Sequence, residues 1–306
     1  MKIAELYKIW FNYKAMLIKI SSANAYSLLF DNHLLPYFGE SETLSEEQVQ
    51  DWINEKVLEG RLSKKTIGDV LIVLKMILKF GNKKGLFDYR GFDLVIPTTA
   101  KQGSTKLEVL TNDYFKKLSN YLIDNFTFQN LGILIAMHTG MRIGELCALK
   151  WSDINVEDRI FEVSRTRQRI YVYDEGWGKR RTMVIDDTTK TEHSHRDIPI
   201  SNVLLKTIKP LKKIANNEYF VLTNTIKGTE PRQFRNHYHI ILSRLEIPPL
   251  KFHGLRHTFA TRCLAGGVDI KTTSTLLGHS KVGITMDIYM HPDAEQKRTA
   301  INKIFK

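Results

Sequence analysis

The sequence predicts a mainly α-helical protein of two domains, with a small antiparallel β-sheet confined to the C-terminal domain. Three observations carry that prediction. A chain of 306 residues with 42% apolar and 25% charged residues is long enough to build two cores of ordinary size. From Ile3 to about Phe87 the apolar residues recur at helical spacing with almost no alternation. Strict alternation appears only later, in "RIFEVSR", "RTMVIDD" and "RDIPI".

The elements follow in order. One helix opens at Ser45, where "SEEQ" puts a capping serine three residues ahead of Gln48, with two acidic residues in the first turn. A second opens at Ser63; Ile67, Val70, Leu71, Leu74, Ile77 and Leu78 form its apolar stripe, and Gly81 supplies its stop. Lys64, Lys65 and Lys75 fall off that stripe, either as phosphate contacts or as an ordinary wetted face. Residues 1–96 therefore read as one helical domain. The polar, aperiodic stretch "PTTAKQGSTK" reads as a connection, so residues 97–108 form a linker and residues 109–306 the second domain. Thr111 caps a helix running toward Asp124, and "NLGILIAMHTGMRIGELCALKW" gives two helices turning at Gly140. The alternating segments then form the sheet, with Lys190 at a turn between strands and with Tyr171 and Tyr173 as ordinary sheet residues. Helices resume from Ser201, and the closing "DAEQKRTAINKIF" is amphipathic.

Composition narrows the function. A formal charge of +12 and a pI near 9.5 point to a polyanionic partner, nucleic acid first, because a duplex repels acidic proteins and releases counterions to basic ones. Residues 1–100 hold 13 Lys and Arg against 12 Asp and Glu, so the excess lies in the remainder of the chain. A basic surface without a specific ligand is the plain alternative. The first twenty residues interleave lysines with apolar residues, and the apolar run "VLIVLKMILKF" is broken by Lys75, so neither a signal peptide nor a membrane span is expected. Cys147 and Cys263 have no partner cysteine at metal-ligand spacing and read as reduced thiols of a cytoplasmic protein.

Two segments concentrate chemistry. In "TGMRIGELCALKW", Arg142 and Glu145 stand three apart, on one helical face of an otherwise apolar segment. A guanidinium there is either bridged to Glu145 or held toward a phosphate, since an uncompensated buried charge is costly. In "KFHGLRHTFATRCL" the same spacing puts His253 and Arg256 on one side of a helix, with His257 behind them supporting it. Downstream, "TLLGHSKVGITMDIYMHP" sets His279 directly after Gly278 and Tyr289 ten residues later. His253 and His257 lack the nearby Glu of a zinc protease motif, and the arginines would repel a cation, so no metal site is expected.

Taken together and in this order, "LT" at Leu110 and Thr111, "TGMRIGELCALKW", "KT" with "HRDIPI", "HGLRHTFAT" and "LLGHS" followed by "IYMH", the motifs resemble those of the tyrosine recombinase, or phage integrase, family. The resemblance covers residues 109–291. It implies a catalytic set of Arg142, Lys190, His253, Arg256, His279 and Tyr289, with Glu145 in support. It also implies a helical core-binding domain ahead of the catalytic one, of which "SKKTIGDVLIVLKMILKFGNKKGLF" looks like the later helices. Tyr289 would attack a DNA phosphodiester to give a 3'-phosphotyrosyl intermediate, while Arg142 and Arg256 fork onto the nonbridging oxygens. His253 would accept the phenol proton, Lys190 would protonate the departing 5'-oxygen, and His279 would either hydrogen-bond the phosphate or pack against the helix before Tyr289. One phosphate ester replaces another, so no cofactor is implied. The implied partners are double-stranded core sites with inverted repeats, three further protomers in a tetramer on synapsed DNA, and a directionality factor. The terminal helix would pack on the neighbouring protomer or on its own domain. A mobile element's integrase is the leading role; inversion, chromosome-dimer resolution, nicking and closing by a type IB topoisomerase-like enzyme, and a regulator without catalysis are the alternatives.

Overall fold

The computed structural model describes residues 1–101, 108–173, 180–188, 195–279, 281–289, 298 and 301–302. The chain divides into two compact units, Met1–Thr105 with Ile170–Thr182 and Lys106–Arg169 with Met183–Lys306. The first unit is helical: α1 (Ile3–Ala15), α2 (Ile20–Leu29) continuing through a π-helical turn (Phe30–Leu34) into the short α3 (Leu35–Phe38), then α4 (Glu46–Glu59) and α5 (Lys64–Lys83). Its core joins Leu6, Tyr7 and Trp10 of α1 to Trp52 and Ile53 of α4 and to the stripe of α5, with Tyr7 stacked on Phe30 at 3.6 Å between ring centroids.

The caps explain where these helices begin. Ser45 Oγ accepts from the Gln48 amide (3.2 Å) while the Ser45 amide donates to Gln48 Oε1 (2.9 Å), and Ser63 Oγ accepts from the Thr66 amide. The predicted stop is displaced. Helix α5 runs past Gly81, which a Cβ would drive to 2.7 Å from Leu6 and 2.9 Å from Phe87; this glycine serves close packing. Termination comes at Gly85, whose φ of 67° turns the chain so that the Leu86 amide donates to Gly81 O and the Gly85 amide to Asn82 O. Lys64, Lys65 and Lys75 are all exposed along this helix.

The second unit opens with α6 (Asn112–Asp124), capped by Thr111, then α7 (Phe128–Thr139) and α8 (Ile143–Ala148). Next along the chain come the strands β1 (Ile154–Asn155), β2 (Ile160–Val163), β3 (Arg165–Tyr173), β4 (Arg180–Thr188) and β5 (Arg196–Pro199), of which Ile170–Tyr173 of β3 and Arg180–Thr182 of β4 belong to the first unit. Helices α9 (Asn202–Ile214), α10 (Pro231–Arg244), α11 (His253–Ala265), α12 (Ile270–Leu277) and α13 (Val282–Tyr289) complete it. The single sheet expected from alternation resolves into two. Strands β1, β2 and β5 form an antiparallel three-stranded sheet with Phe161 opposite Ile198, whereas β3 and β4 pair only with each other. Burial is the reason. Phe161, Val163 and Ile198 supply one apolar face to the core, while β3 reads "RTRQRIYVY" and fastens to β4 through the Arg167–Asp186 ion pair.

The core of this unit centres on α7, whose Leu131, Ile133, Leu134, Ile135 and Met137 are all buried, together with Trp151 and Phe234. Gly140 closes α7 in the left-handed region, at a φ of 64°, and sends the chain straight into α8. Among the described residues no helix is long and apolar enough to cross a membrane. Lys190 and nearly all of the terminal "DAEQKRTAINKIF" helix lie outside the described residues.

Candidate active site

Helix α12 ends in a way that prepares a site. Gly278, at a φ of 65°, reverses the chain so that the Gly278 amide donates to Thr275 O (2.9 Å) and the His279 amide to Ser274 O (3.1 Å). Those two bonds leave the next three carbonyls, of Leu276, Leu277 and Gly278, pointing off the helix end without helical donors. Each receives a guanidinium from a different segment. Arg196 Nε donates to Leu276 O (2.7 Å), Arg256 Nη2 to Leu277 O (2.6 Å) and Arg142 Nη2 to Gly278 O (3.2 Å). The partial negative charge of a helix C-terminus favours cations at that position.

The three arginines differ in depth. Arg256 retains 2% of its surface, and its Nη1 also donates to Gly140 O (3.0 Å), which ties the end of α7 to the end of α12. The side chain of Arg142 keeps 38% of its surface and is the more open of the two predicted phosphate ligands. It is the residue capping α8 rather than a member of that helix, because its extended backbone (ψ 150°) precedes the first helical turn. The Arg142 amide donates to Glu145 Oε2 and its Nη1 to Glu145 Oε1, both at 2.8 Å. Bridging to Glu145 and facing outward are thus compatible.

Glu145 is buried and is shared with a residue the sequence reading left without a role. Arg196 Nη2 reaches Glu145 Oε2 at 2.9 Å and its Nη1 reaches Oε1 at 3.2 Å. Burial pushes the Glu145 carboxyl up, but the hydrogen bond and charge of Arg196, followed by the charge of Arg142, hold it below the usual carboxylate range. A signal for Arg196 was present in "RDIPI". The alternation that turns Ile198 inward also turns in Arg196, two residues earlier on the same strand face.

His253 opens α11 one turn ahead of Arg256, and its ring meets His257 edge-on at 4.7 Å between centroids. Its outer edge is exposed, yet burial of the remainder, then the charges of His257, Arg256 and Arg142, push its imidazole down to about 4. His279 is likewise pushed down to about 4, by burial and then by Arg256 and Arg142. Its Nδ1 lies 2.7 Å from the buried Thr285 Oγ1 on α13, four residues before Tyr289. The imidazole is therefore tied through Nδ1 to the helix that carries Tyr289. The Tyr289 backbone closes α13; its side chain lies outside the described residues.

Beside Arg142 and His253 opens a cavity of about 490 Å³ whose other polar lining residues are Arg235 and His239 of α10 and Lys251. These three carry no motif, and only their shared rim with the arginine cluster marks them. Lys64, Lys65 and Lys75 belong to the first unit. Among the described residues no group of three His, Cys, Asp or Glu side chains is arranged to hold a metal ion.

Residues 108–296 match the phage integrase family, and residues 2–57 match the phage integrase N-terminal SAM-like domain. A tyrosine recombinase XerC-like protein of Caldanaerobacter subterraneus subsp. tengcongensis is 29% identical, covering 94% of this chain and 79% of the relative. The ICEBs1 integrase of Bacillus subtilis is 22% identical over 90% of this chain and 75% of its own. In fold, the chain superimposes on the Tn1549 transposon integrase in complex with a circular intermediate DNA with a TM-score of 0.77 at 18% identity, over 99% of both chains. A lambda integrase dimer bound to a COC' core site gives 0.66 at 16% identity, covering 96% of this chain and 98% of that one.

Proposed function

The chain belongs to the phage integrase family of tyrosine recombinases, and from that premise we propose that it cuts and rejoins DNA at specific sites through Tyr289. The observation that carries the proposal is the meeting of Arg142 and Arg256, from segments more than a hundred residues apart, at the end of the helix that leads into His279. A phosphodiester is a stable anion, and opening it requires a nucleophile, stabilisation of the phosphoryl oxygens and a proton for the leaving group. Arg142, the more open cation, and Arg256 behind it would bind the nonbridging oxygens; charge-assisted donors in a site poor in water lower a barrier by several kcal/mol, about 3 for each one removed.

A phenol of pKa about 10 is ionised in roughly one molecule in a thousand at neutral pH, and neighbouring cations favour the phenolate. Tyr289 Oη attacks phosphorus and the bond to O5' breaks, leaving the DNA 3'-phosphate esterified to tyrosine. The phenol proton passes to His253, which is neutral at pH 7 because its imidazole titrates near 4. Lys190 returns a proton to O5'. Attack by the 5'-hydroxyl of a partner strand reverses these steps, and a tetramer on two core sites exchanges strands in pairs.

Within this chemistry we assign integration and excision of a phage or conjugative element in the cytoplasm, with a directionality factor to bias the reaction. Chromosome-dimer resolution is the second reading, favoured by the similarity to XerC-like proteins. The discriminating substrate is the DNA flanking the gene: element ends support integrase, a chromosomal dimer-resolution site the alternative. On a nicked duplex built from the correct ends, the protein is expected to form a denaturant-resistant adduct, and Tyr289→Phe to abolish it while binding persists. An adduct that survives Tyr289→Phe, or none with the unaltered protein on any such end, overturns the proposal.

A further inference from the structure

The carboxylate of Glu145 is gripped from two sides, and only one of its partners can reach DNA. Arg142 keeps 38% of its side-chain surface, whereas Arg196 keeps 4% and points Nη1 and Nη2 at Glu145 and Nε at Leu276 O. Arg196 therefore touches two parts of the site at once. Through Glu145 it reaches the amide and guanidinium of Arg142; through Leu276 O it reaches the turn that carries Gly278 and His279. Its side chain also fills the space beside that turn, since a Cβ on Gly278 would lie 3.0 Å from Arg196 Cδ and Nη1.

We propose that Arg196 is a positioning residue for strand cleavage: its guanidinium fixes the register between Arg142 and the Gly278–His279 turn so that both meet the same phosphate. This rests on the reading that the site cleaves DNA. The fork geometry is what does this. A lysine supplies the same charge to Glu145 from a single nitrogen, without the planar set of donors that bridges a carboxylate and a carbonyl together. Charge compensation of a buried carboxylate would be preserved by lysine; alignment would not. Misplacing a catalytic group by about 1 Å costs on the order of a hundredfold in rate.

The test is Arg196→Lys in the full chain, with single-turnover adduct formation on the nicked duplex, binding to the same duplex, and circular dichroism at the assay temperature. Cleavage is expected to fall about a hundredfold, with binding within about twofold and the fold intact. The acid limb of the cleavage rate is expected to move to higher pH, as Glu145 keeps a neighbouring charge but loses the forked hydrogen bonds of Arg196, which do most to depress its titration. A merely structural Arg196 lowers the unfolding midpoint and leaves both the rate of the folded protein and its pH profile unchanged, and that result overturns the inference. If Arg196→Lys does not fold, Glu145→Asp keeps the charge pair but shortens its reach by one methylene and carries the same expectation.

A readout independent of cleavage separates the two claims. With arginine labelled by nitrogen-15, the Arg142 Nε–H signal is expected to be ordered in the unaltered protein and averaged in Arg196→Lys. No adduct from the unaltered protein, together with this loss of order in Arg196→Lys, sinks the cleavage reading and leaves the alignment standing. An Arg142 signal indifferent to Arg196→Lys sinks the alignment.

Discussion

At the scale of single residues, the two site histidines make a pH prediction. His253 and His279 titrate near 4 in the folded protein against an ordinary value of 6.5, so protonation favours the unfolded chain. Their contribution to stability is complete above about 6.5 and is lost as the pH falls toward 4. Glu145, held below its usual 4.5, adds a further loss at more acid pH. Urea midpoints measured between pH 7 and 5 are expected to decline, and less steeply in His253→Gln and His279→Gln; parallel profiles for all three proteins would contradict this assignment. A phosphate bound as proposed would neutralise part of the arginine charge and raise both imidazoles, bringing His253 toward the pH at which the proposed proton transfer needs it.

At the scale of elements, Gly140 shows why the turn between α7 and α8 admits little change. Its φ of 64° penalises any side chain by about 1–2 kcal/mol. A Cβ would also stand 2.6 Å from Phe259 Cδ1 and 3.0 Å from Leu277, and overpacking of that kind costs about 1–3 kcal/mol. Gly140→Ala is expected to lower the denaturant midpoint at unchanged slope and to slow cleavage, because the Gly140 carbonyl orients Arg256. Much at this scale was legible in the sequence, since capping is local: Ser45, Ser63 and Thr111 each announce a helix through bonds spanning three residues. What was missed depends on distant neighbours. Gly81 reads as a stop until Leu6 and Phe87 press against it, and the two sheets read as one until burial separates the strands that own an apolar face from the pair that does not. Of the residues gathered there, Arg142, His253, Arg256 and His279 stand in motifs legible in the sequence. Arg196 was visible only as a charge on the inward phase of a strand, and Arg235, His239 and Lys251 left no local trace.

At the scale of the whole molecule, a net charge of +12 makes DNA affinity depend steeply on salt. Arg235 and Lys251 on the cavity rim are expected to serve as phosphate contacts, so Arg235→Ala and Lys251→Ala should each weaken binding across sequences alike and reduce the slope of log K against log salt by about 1. An unchanged slope would assign them to solvent. Three guanidinium groups gathered without counter-ions would splay apart through mutual repulsion and sample many rotamers. Seating them on the oxygen-lined terminus of α12 gives each a fixed dipolar counterpart, so the ordering entropy is spent when the chain folds and not at the moment a duplex arrives. Association with DNA can then proceed with little side-chain rearrangement, leaving the affinity of the interface for the distortion that strand exchange demands.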